Sequence, residues 1–423
     1  MREDFLHYLW NSKEFNLNGL QLTDGRPIQI IRFGRHNKDA GPDFLEARVR
    51  IAQTLWVGNI ELHLKSSDWL LHQHQHDSAY NNVILHVVWE EDRPLFRENG
   101  ERIPCLELCG KIPPEIYTRY KKILTNQAWI PCQIHFSKVP ERVKVMWLER
   151  LLIERMEEKT KKIEENLRFN NFSWAETFYQ TLARNFGAKK NSPPFELLAK
   201  SIPLPLLAKH RDQPLQVAAL LFGQAGFLDE NFKDEYPLQL KKEFQFLKKK
   251  YQLLPLKKEN WKFLRMRPAN FPTIRIAQFA ALMVQSTSLF SRILEAESLV
   301  ELADLFQINI SEYWHTHYLF DRSGKVQVRK PGKAIVDSLV INAIVPVLFL
   351  YGQYKYDESF THKALRFLDE MAPEKNEVIK KWMDLGFIPC SAGQTQGLLQ
   401  LKNEFCDKKR CLSCAVGSQI LRR

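Results

Sequence analysis

The strongest chemical signal in the sequence is a polar triplet at period two. In GNIELHLKSSDW, Glu61, His63 and Lys65 alternate with Ile60, Leu62 and Leu64. On a β-strand this puts the ionisable side chains on one face and the apolar ones on the other. Upstream, GPDF sets Asp43 at the start of another candidate strand. Two such strands joined as a hairpin bring Asp43 and Glu61 side by side. Ionisable groups aligned on a central strand are costly to bury unless they coordinate or catalyse something. A carboxylate pair can hold Mg²⁺ (or Mn²⁺), while His63 or Lys65 orients or deprotonates an attacking water. That is the equipment of phosphodiester hydrolysis, in which the ion lowers the pKa of its water and takes up phosphoryl charge.

The cysteines form a second constellation. Cys105, Cys109 and Cys132 are spread along apolar sequence, while Cys390, Cys406, Cys411 and Cys414 crowd the C-terminal region. Seven is an odd number, and the grouping points to a reducing compartment and a metal site, not a disulfide framework. Cys406-x4-Cys411-x2-Cys414, with Cys390 upstream, suits an iron–sulfur cluster or zinc, and spacing leaves that choice open. Lys408, Lys409 and Arg410 between the thiols favour thiolates. The bland alternative is a helical tail with buried thiols. His72, His74, His76 and Asp77 give a further metal pattern, since His72 and His76 share a face if helical. A polar helix face near a strand end is the plainer reading, with His72 still able to reach the Asp43–Glu61 face. His86, in VILHVVWE, reads as a satisfied core histidine.

Charge narrows the class of partner. Lys+Arg 61 against Asp+Glu 49 leaves +12, which favours a polyanion such as nucleic acid. Lys241, Lys242, Lys248, Lys249, Lys250, Lys257 and Lys258 are interleaved with Phe244, Phe246, Tyr251 and Trp261. That mixture suits a single strand's phosphates and bases, or is simply the solvated face of an amphipathic helix. RMRPANFPTIR reads either as a phosphate clamp or as a rigid turn. No Walker loop, GxGxxG or GxSxG is present, which argues against nucleotide-driven, dinucleotide and α/β-hydrolase chemistry. With 44% hydrophobic and 26% charged residues, the chain is neither disordered nor collagen-like. Its longest apolar run, Ser338 to Tyr351, carries Asn342 and Pro346 and falls short of the ~20 residues a bilayer requires. MREDFLHYLW lacks the apolar stretch of an export signal, so a cytoplasmic protein with no membrane partner is expected.

These residues need elements to position them. Residues 3–12 read as a short helix, followed by strands at Ile28–Phe33, Phe44–Ile51 and Leu55–Leu64. SSDWLLHQHQHDSAYNN opens with a Ser/Asp cap and predicts a helix of about three turns. Strands at Val83–Trp89 and Ile103–Cys109 follow. Beyond residue 113 the period becomes helical, with Leu148, Leu152, Met156, Ile163 and Leu167 on one face. Further helices are predicted at 174–186, 194–201, 214–226, 237–251, 273–287, 293–306, 334–351 and 361–370, with Gly and Pro between them. The expected organisation is a small α/β module over 1–112, a mostly α-helical domain over 113–385 and a cysteine-bearing tail over 386–423.

The order helix, three strands, helix, strand, with Asp43 after Pro42 and Glu61 on the next strand, resembles the PD-(D/E)XK nuclease superfamily. That resemblance implies a restriction-endonuclease-like module with Asp43 and Glu61 as metal ligands. The sequence departs from it at His63, where the superfamily carries lysine, and supplies a lysine only at 65. Over its whole length the chain resembles a bacterial family of unknown function, DUF2851. The segments carrying this likeness are GPDF, VGNIELHLKSSDW, Tyr80 with VILHVVWE, LLFGQAGFL, RPANFPTIRIAQFA and NEFCDKKRCLSCAVG. The expected function is therefore a Mg²⁺-dependent, nuclease-like hydrolase of DNA or RNA. The alternative is a non-catalytic nucleic-acid-binding or scaffold protein with a degenerate nuclease core. Carboxylates pointing to opposite faces of the sheet would exclude the enzyme.

Overall fold

The alternation in Phe44–Ile51 becomes a strand in which Phe44, Ala47, Val49 and Ile51 are buried and Glu46, Arg48 and Arg50 face solvent. The step from Phe44 to Ala47 breaks strict period two. A β-bulge absorbs it, with Glu46 at φ 57°. The computed structural model describes residues 2–37, 39–327 and 329–422. Its sheet comprises β1 (Ile28–Arg32), β2 (Arg35–His36), β3 (Phe44–Ile51), β4 (Thr54–Lys65), β5 (Val83–Glu90) and β6 (Cys105–Glu107). Strand order is β1-β3-β4-β5-β6, with β2 also on β3. β1, β3 and β4 run antiparallel, and β5 and β6 continue parallel from β4. β5 is buried over Val83–Val88, which is why VILHVV reads as a continuous apolar run.

Helix α1 (Glu3–Ser12) covers one face of the sheet. Its Leu6 and Trp10 join Phe44, Ile60, Leu62, Leu85 and Val87 in one core. Each such side chain contributes about 1.5–3 kcal/mol on full burial. The Trp10 indole donates to the Phe33 carbonyl at 3.0 Å and fixes the helix on the strand. Glu61, His63 and His86 stand on the opposite face, since Glu61 pairs with His86 in the parallel register.

The predicted three-turn helix after β4 does not form. α2 is one turn, Asp68–Leu71, and Gln73 then turns left-handed at φ 60°. Two 3₁₀ turns follow, His74–His76 and Ser78–Tyr80. Between Leu71 and Tyr80 the sequence offers no apolar side chain beyond Ala79, so a longer helix has no face to bury. His72 and His76 therefore share no helix face.

The chain divides into two compact units, neither matching the expected segments. One runs to Trp147 and includes Leu385–Phe387 and the tail from Leu401; the other comprises Leu148–Asp384 and Ile388–Gln400. The first adds α3 (Pro114–Thr125) and α4 (Gln133–Phe136) to the sheet, and α5 (Glu141–Phe169) crosses the division. The second is helical around Phe178, Phe186, Phe195, Phe222, Phe279 and Trp314. Trp174–Phe186, Pro214–Gln224, Glu235–Tyr251, Pro272–Gln285 and Glu358–Glu370 lie where helical periodicity predicts them.

Three helices differ from expectation. Ala188–Ser201 begins before Pro193-Pro194 and runs through both, with buried Asn191 bonding the Lys262 backbone at both amide atoms. The segment 293–306 is two helices, Leu289–Glu295 and Leu299–Asp304, because Ser298 caps the second against Glu301. The apolar run at 338–351 lies within a 23-residue helix, Lys333–Lys355, that includes a π turn at Val340–Ile344. This helix is long and apolar enough to cross a membrane, but 67% of its apolar window is buried inside the protein.

In Glu235–Tyr251 the aromatic interleaving separates: Phe244 is buried, and Phe246 is exposed beside Lys248, Lys249 and Lys250. Arg275, in the helix Pro272–Gln285, is buried and bonds Asn270 and Gln278, so this arginine of RMRPANFPTIR is turned inward.

Candidate metal centre

The register Phe44↔Ile60 places Asp43 opposite Glu61 at the open end of the β3–β4 pair. The backbone N–H of Asp43 donates to Glu61 Oε2 at 3.0 Å, and that of Leu62 donates to Asp43 Oδ2 at 2.9 Å. The two carboxylates are thus cross-tied through each other's strand. Glu61 is enclosed, while the Asp43 side chain keeps 22% exposure. The end of β4 is fixed by Asp92, which accepts from Ser66 Oγ and from the N–H and hydroxyl of Ser67. Asp68 accepts the Lys65 N–H and starts α2 directly over the site.

Histidines fill the space around Glu61. His74 Nε2 lies 3.3 Å and His63 Nε2 3.7 Å from Glu61 Oε1. His63 Nε2 is also 3.1 Å from His72 Nδ1. Donor atoms of His63, His72 and His74 all lie within 4.8 Å of one another. On its far side His63 Nδ1 meets His86 Nε2 at 2.9 Å. An Nδ1–H on His63, donated to His86, leaves the His63 Nε2 lone pair directed at the cluster. Tyr80 stacks on His74 at 3.8 Å, and Trp69 walls the group beside His74 and His86. From α1, His7 Nε2 reaches Asp43 Oδ2 at 3.2 Å.

The electrostatics follow from burial without a counter-charge. Burial, and then the charge of Asp43, pushes the Glu61 carboxyl up to about 9. Burial, with His74 and His72 next, pulls His63 down to about 3. Burial also lowers His74, and it takes His86 well below the usual imidazole range. His7 moves the other way: burial opposes its charge, but the hydrogen bond and charge of Asp43 outweigh it. His63, His74 and His86 are therefore held neutral beside a protonated Glu61 at neutral pH. A cation among these donors would displace the Glu61 proton and use the imidazole lone pairs. His74 Nε2 supports this, because it is buried and makes no hydrogen bond among the described residues.

Asp43, Glu61 and His63, singled out by the sequence, come together. Lys65 does not join them: it is exposed at the end of β4, and its ammonium makes no hydrogen bond or ion pair among the described residues. His86 is in the core, but bonded to the site. The sequence does not single out His7, whereas His74 belongs to the histidine run that reads as a further metal pattern. His7 carries no local signal, because only the register of α1 over β4 brings it to Asp43. His74 was visible as one of a histidine run, in which helical spacing favoured His76 instead. Of the cysteines, Cys406, Cys411 and Cys414 are buried together in the sheet-bearing unit. Cys390 is exposed in the helical unit, with its N–H on Gln394.

Residues 3–377 match a family described as a protein of unknown function (DUF2851). No curated protein and no solved structure matches the chain. The matched range contains every residue of the Asp43–Glu61–histidine site and ends before the cysteine tail.

Proposed function

The chain belongs to the DUF2851 family, and we propose that it is a divalent-metal-dependent phosphodiester hydrolase, nuclease-like, working at the Asp43–Glu61–histidine site. The observation that carries this reading is the gathering of nitrogens of His63, His72 and His74 within 4.8 Å of one another, with Glu61 Oε1 3.3 Å from His74 and 3.7 Å from His63, next to a second, more exposed carboxylate. The separations of 3.1 Å between His63 and His72 and of 3.3 and 3.7 Å from Glu61 to His74 and His63 are those that ligands at about 2.0–2.2 Å from one ion adopt. The donor set is richer in nitrogen than Mg²⁺ favours and suits Mn²⁺ or Zn²⁺ better. When bound, the cation supplies Lewis-acid stabilisation of the phosphoryl oxygens.

The chain's own groups do the remaining work. His63, His72 and His74, with Glu61 beside them, would hold the ion, and His86 orients His63 from behind. Asp43, held by the Leu62 N–H and His7, faces solvent. It orients the attacking water and accepts its proton as the new P–O bond forms and the ester P–O bond breaks. The leaving oxygen is protonated from bulk water. With both nitrogens engaged, His63 serves as a ligand and not as the base. The net charge of +12 favours a nucleic-acid substrate. Seven free thiols suit a reducing, cytoplasmic setting.

Digestion of single- and double-stranded DNA and RNA with Mn²⁺, Zn²⁺ or Mg²⁺ tests this. Cleavage by the wild type should fall by roughly 10²-fold or more in Asp43→Asn, with binding retained. Binding without cleavage under every metal would instead leave a nucleic-acid-binding protein with a degenerate core.

A further inference from the structure

The tail from Leu401 belongs to the sheet-bearing unit and brings its three cysteines to a fourth. Cys406 ends the π turn Leu401–Cys406, Cys411 opens the 3₁₀ turn Cys411–Ser413, and Cys414 caps the helix Ala415–Leu421. That last helix packs on α3 and α4, and Cys132 is the residue that caps α4. All four thiols are buried, and all four are free of disulfides. The turn Leu401–Cys406 packs on the turn Cys411–Ser413, which packs in turn on the helix Ala415–Leu421, so the elements that carry the four thiols are contiguous.

Burial raises all four thiols above their ordinary range, against the thiolate form that Lys408, Lys409 and Arg410 lead one to expect, so without a cation they stand as neutral thiols. Gly417 leaves the last helix room to start against the Cys411 carbonyl, where any Cβ would collide. Lys409 adds positive charge near Cys411, and Lys402 near Cys406. Four buried thiols on contiguous elements, none of them in a disulfide, become thiolates only when a bound cation displaces their protons.

The spread of the sulfurs selects among cations. A zinc ion about 2.3 Å from each thiolate draws four sulfurs to within about 4 Å of one another. Among the described residues, the His63–His72–His74 group is the one whose donor atoms gather within 4.8 Å, and no cysteine trio does so. A cluster of several irons bridged by sulfide spans a wider set of thiolates than a single ion can.

We propose that Cys132, Cys406, Cys411 and Cys414 hold an iron–sulfur cluster that fastens the C-terminal tail to α4 of the sheet-bearing unit. Cys390 is no part of it. Because Cys132 and the tail lie far apart in sequence, the cluster closes a very long loop, and its binding is folding free energy for this unit.

The test is iron, zinc and acid-labile sulfide analysis of the full chain purified anaerobically, with visible absorption. Wild type should carry iron and sulfide in equal amounts, about two or four of each per chain. Cys390→Ser and Cys105→Ser should keep that content, while Cys132→Ser should lose most of it. The wild-type and Cys390→Ser results stand even if Cys132→Ser fails to fold. Stoichiometric zinc without sulfide, or a chain with no metal, would overturn the proposal. So would cluster loss in Cys390→Ser.

Discussion

Glu61→Gln should make the metal-free protein more stable at neutral pH. The amide keeps an oxygen for the Asp43 N–H and removes the ionisation. The Glu61 carboxyl sits at about 9 in the fold, against an ordinary 4.5, because burial and the neighbouring Asp43 charge both disfavour its anion. Between those values the folded chain keeps a proton that the unfolded chain has released. The stability contributed is therefore complete below pH ~4.5 and is lost progressively as pH rises toward ~9. At about 1.4 kcal/mol per pH unit, the loss by pH 7 reaches about 3 kcal/mol. Glutamine has no proton to lose and escapes that penalty. In EDTA at pH 7 the variant should gain about 1–3 kcal/mol, and near pH 4.5 the two proteins should converge. Urea unfolding across this range, followed by a probe in the sheet-bearing unit, reads both. Saturating Mn²⁺ should reverse the order, since only the wild type keeps the full ligand set. A wild-type stability independent of pH, or a variant less stable than wild type in EDTA at pH 7, would refute the assignment of Glu61 as a buried acid awaiting a cation.

Two further outcomes test other parts of the account. Gly223→Ala drives a methyl into the ring of Phe244, where the helices Pro214–Gln224 and Glu235–Tyr251 meet, and should cost about 1–3 kcal/mol in urea unfolding of the helical unit; an unchanged midpoint would mean the ring moves freely. Replacing Lys248, Lys249 and Lys250 together by Gln should leave stability within about 0.5 kcal/mol and lower the log–log salt slope of nucleic-acid binding by about 2–3; an unchanged slope would make those lysines a solvated face.

What the sequence made legible was whatever rested on local periodicity. The outlines of β3, β4 and β5 follow from period two, and most helices of the second unit from amphipathic spacing. The alignment of Asp43 with Glu61 was also legible, because a hairpin fixes register over a short span. The failures share a physical cause. The Ser/Asp cap after Ser66 predicts a helix, whereas the lack of apolar residues from His72 to Ser78 sets its length. That change replaced the pairing of His72 with His76 by one of His72 with His74. Pro193-Pro194 looked like a boundary, but Asn191 anchors that helix to a segment distant in sequence. His7 comes to Asp43 only through packing of α1, and Cys132 to the tail only through packing of α4 on the last helix, which no local pattern encodes. Proximity in sequence groups Cys390 with the tail cysteines, whereas the fold leaves Cys390 exposed in the helical unit and buries Cys132 on α4, against which the last helix packs.

The most direct test of the central claim is pulsed electron paramagnetic resonance of the EDTA-treated full chain titrated with Mn²⁺. The account predicts a single saturable ion whose echo is modulated by directly bound imidazole nitrogen, with affinity falling about tenfold or more in His74→Ala. An ion coordinated by oxygen alone, or one whose affinity is unchanged in His74→Ala and Glu61→Gln, would contradict a metal centre built on Glu61 and its histidines.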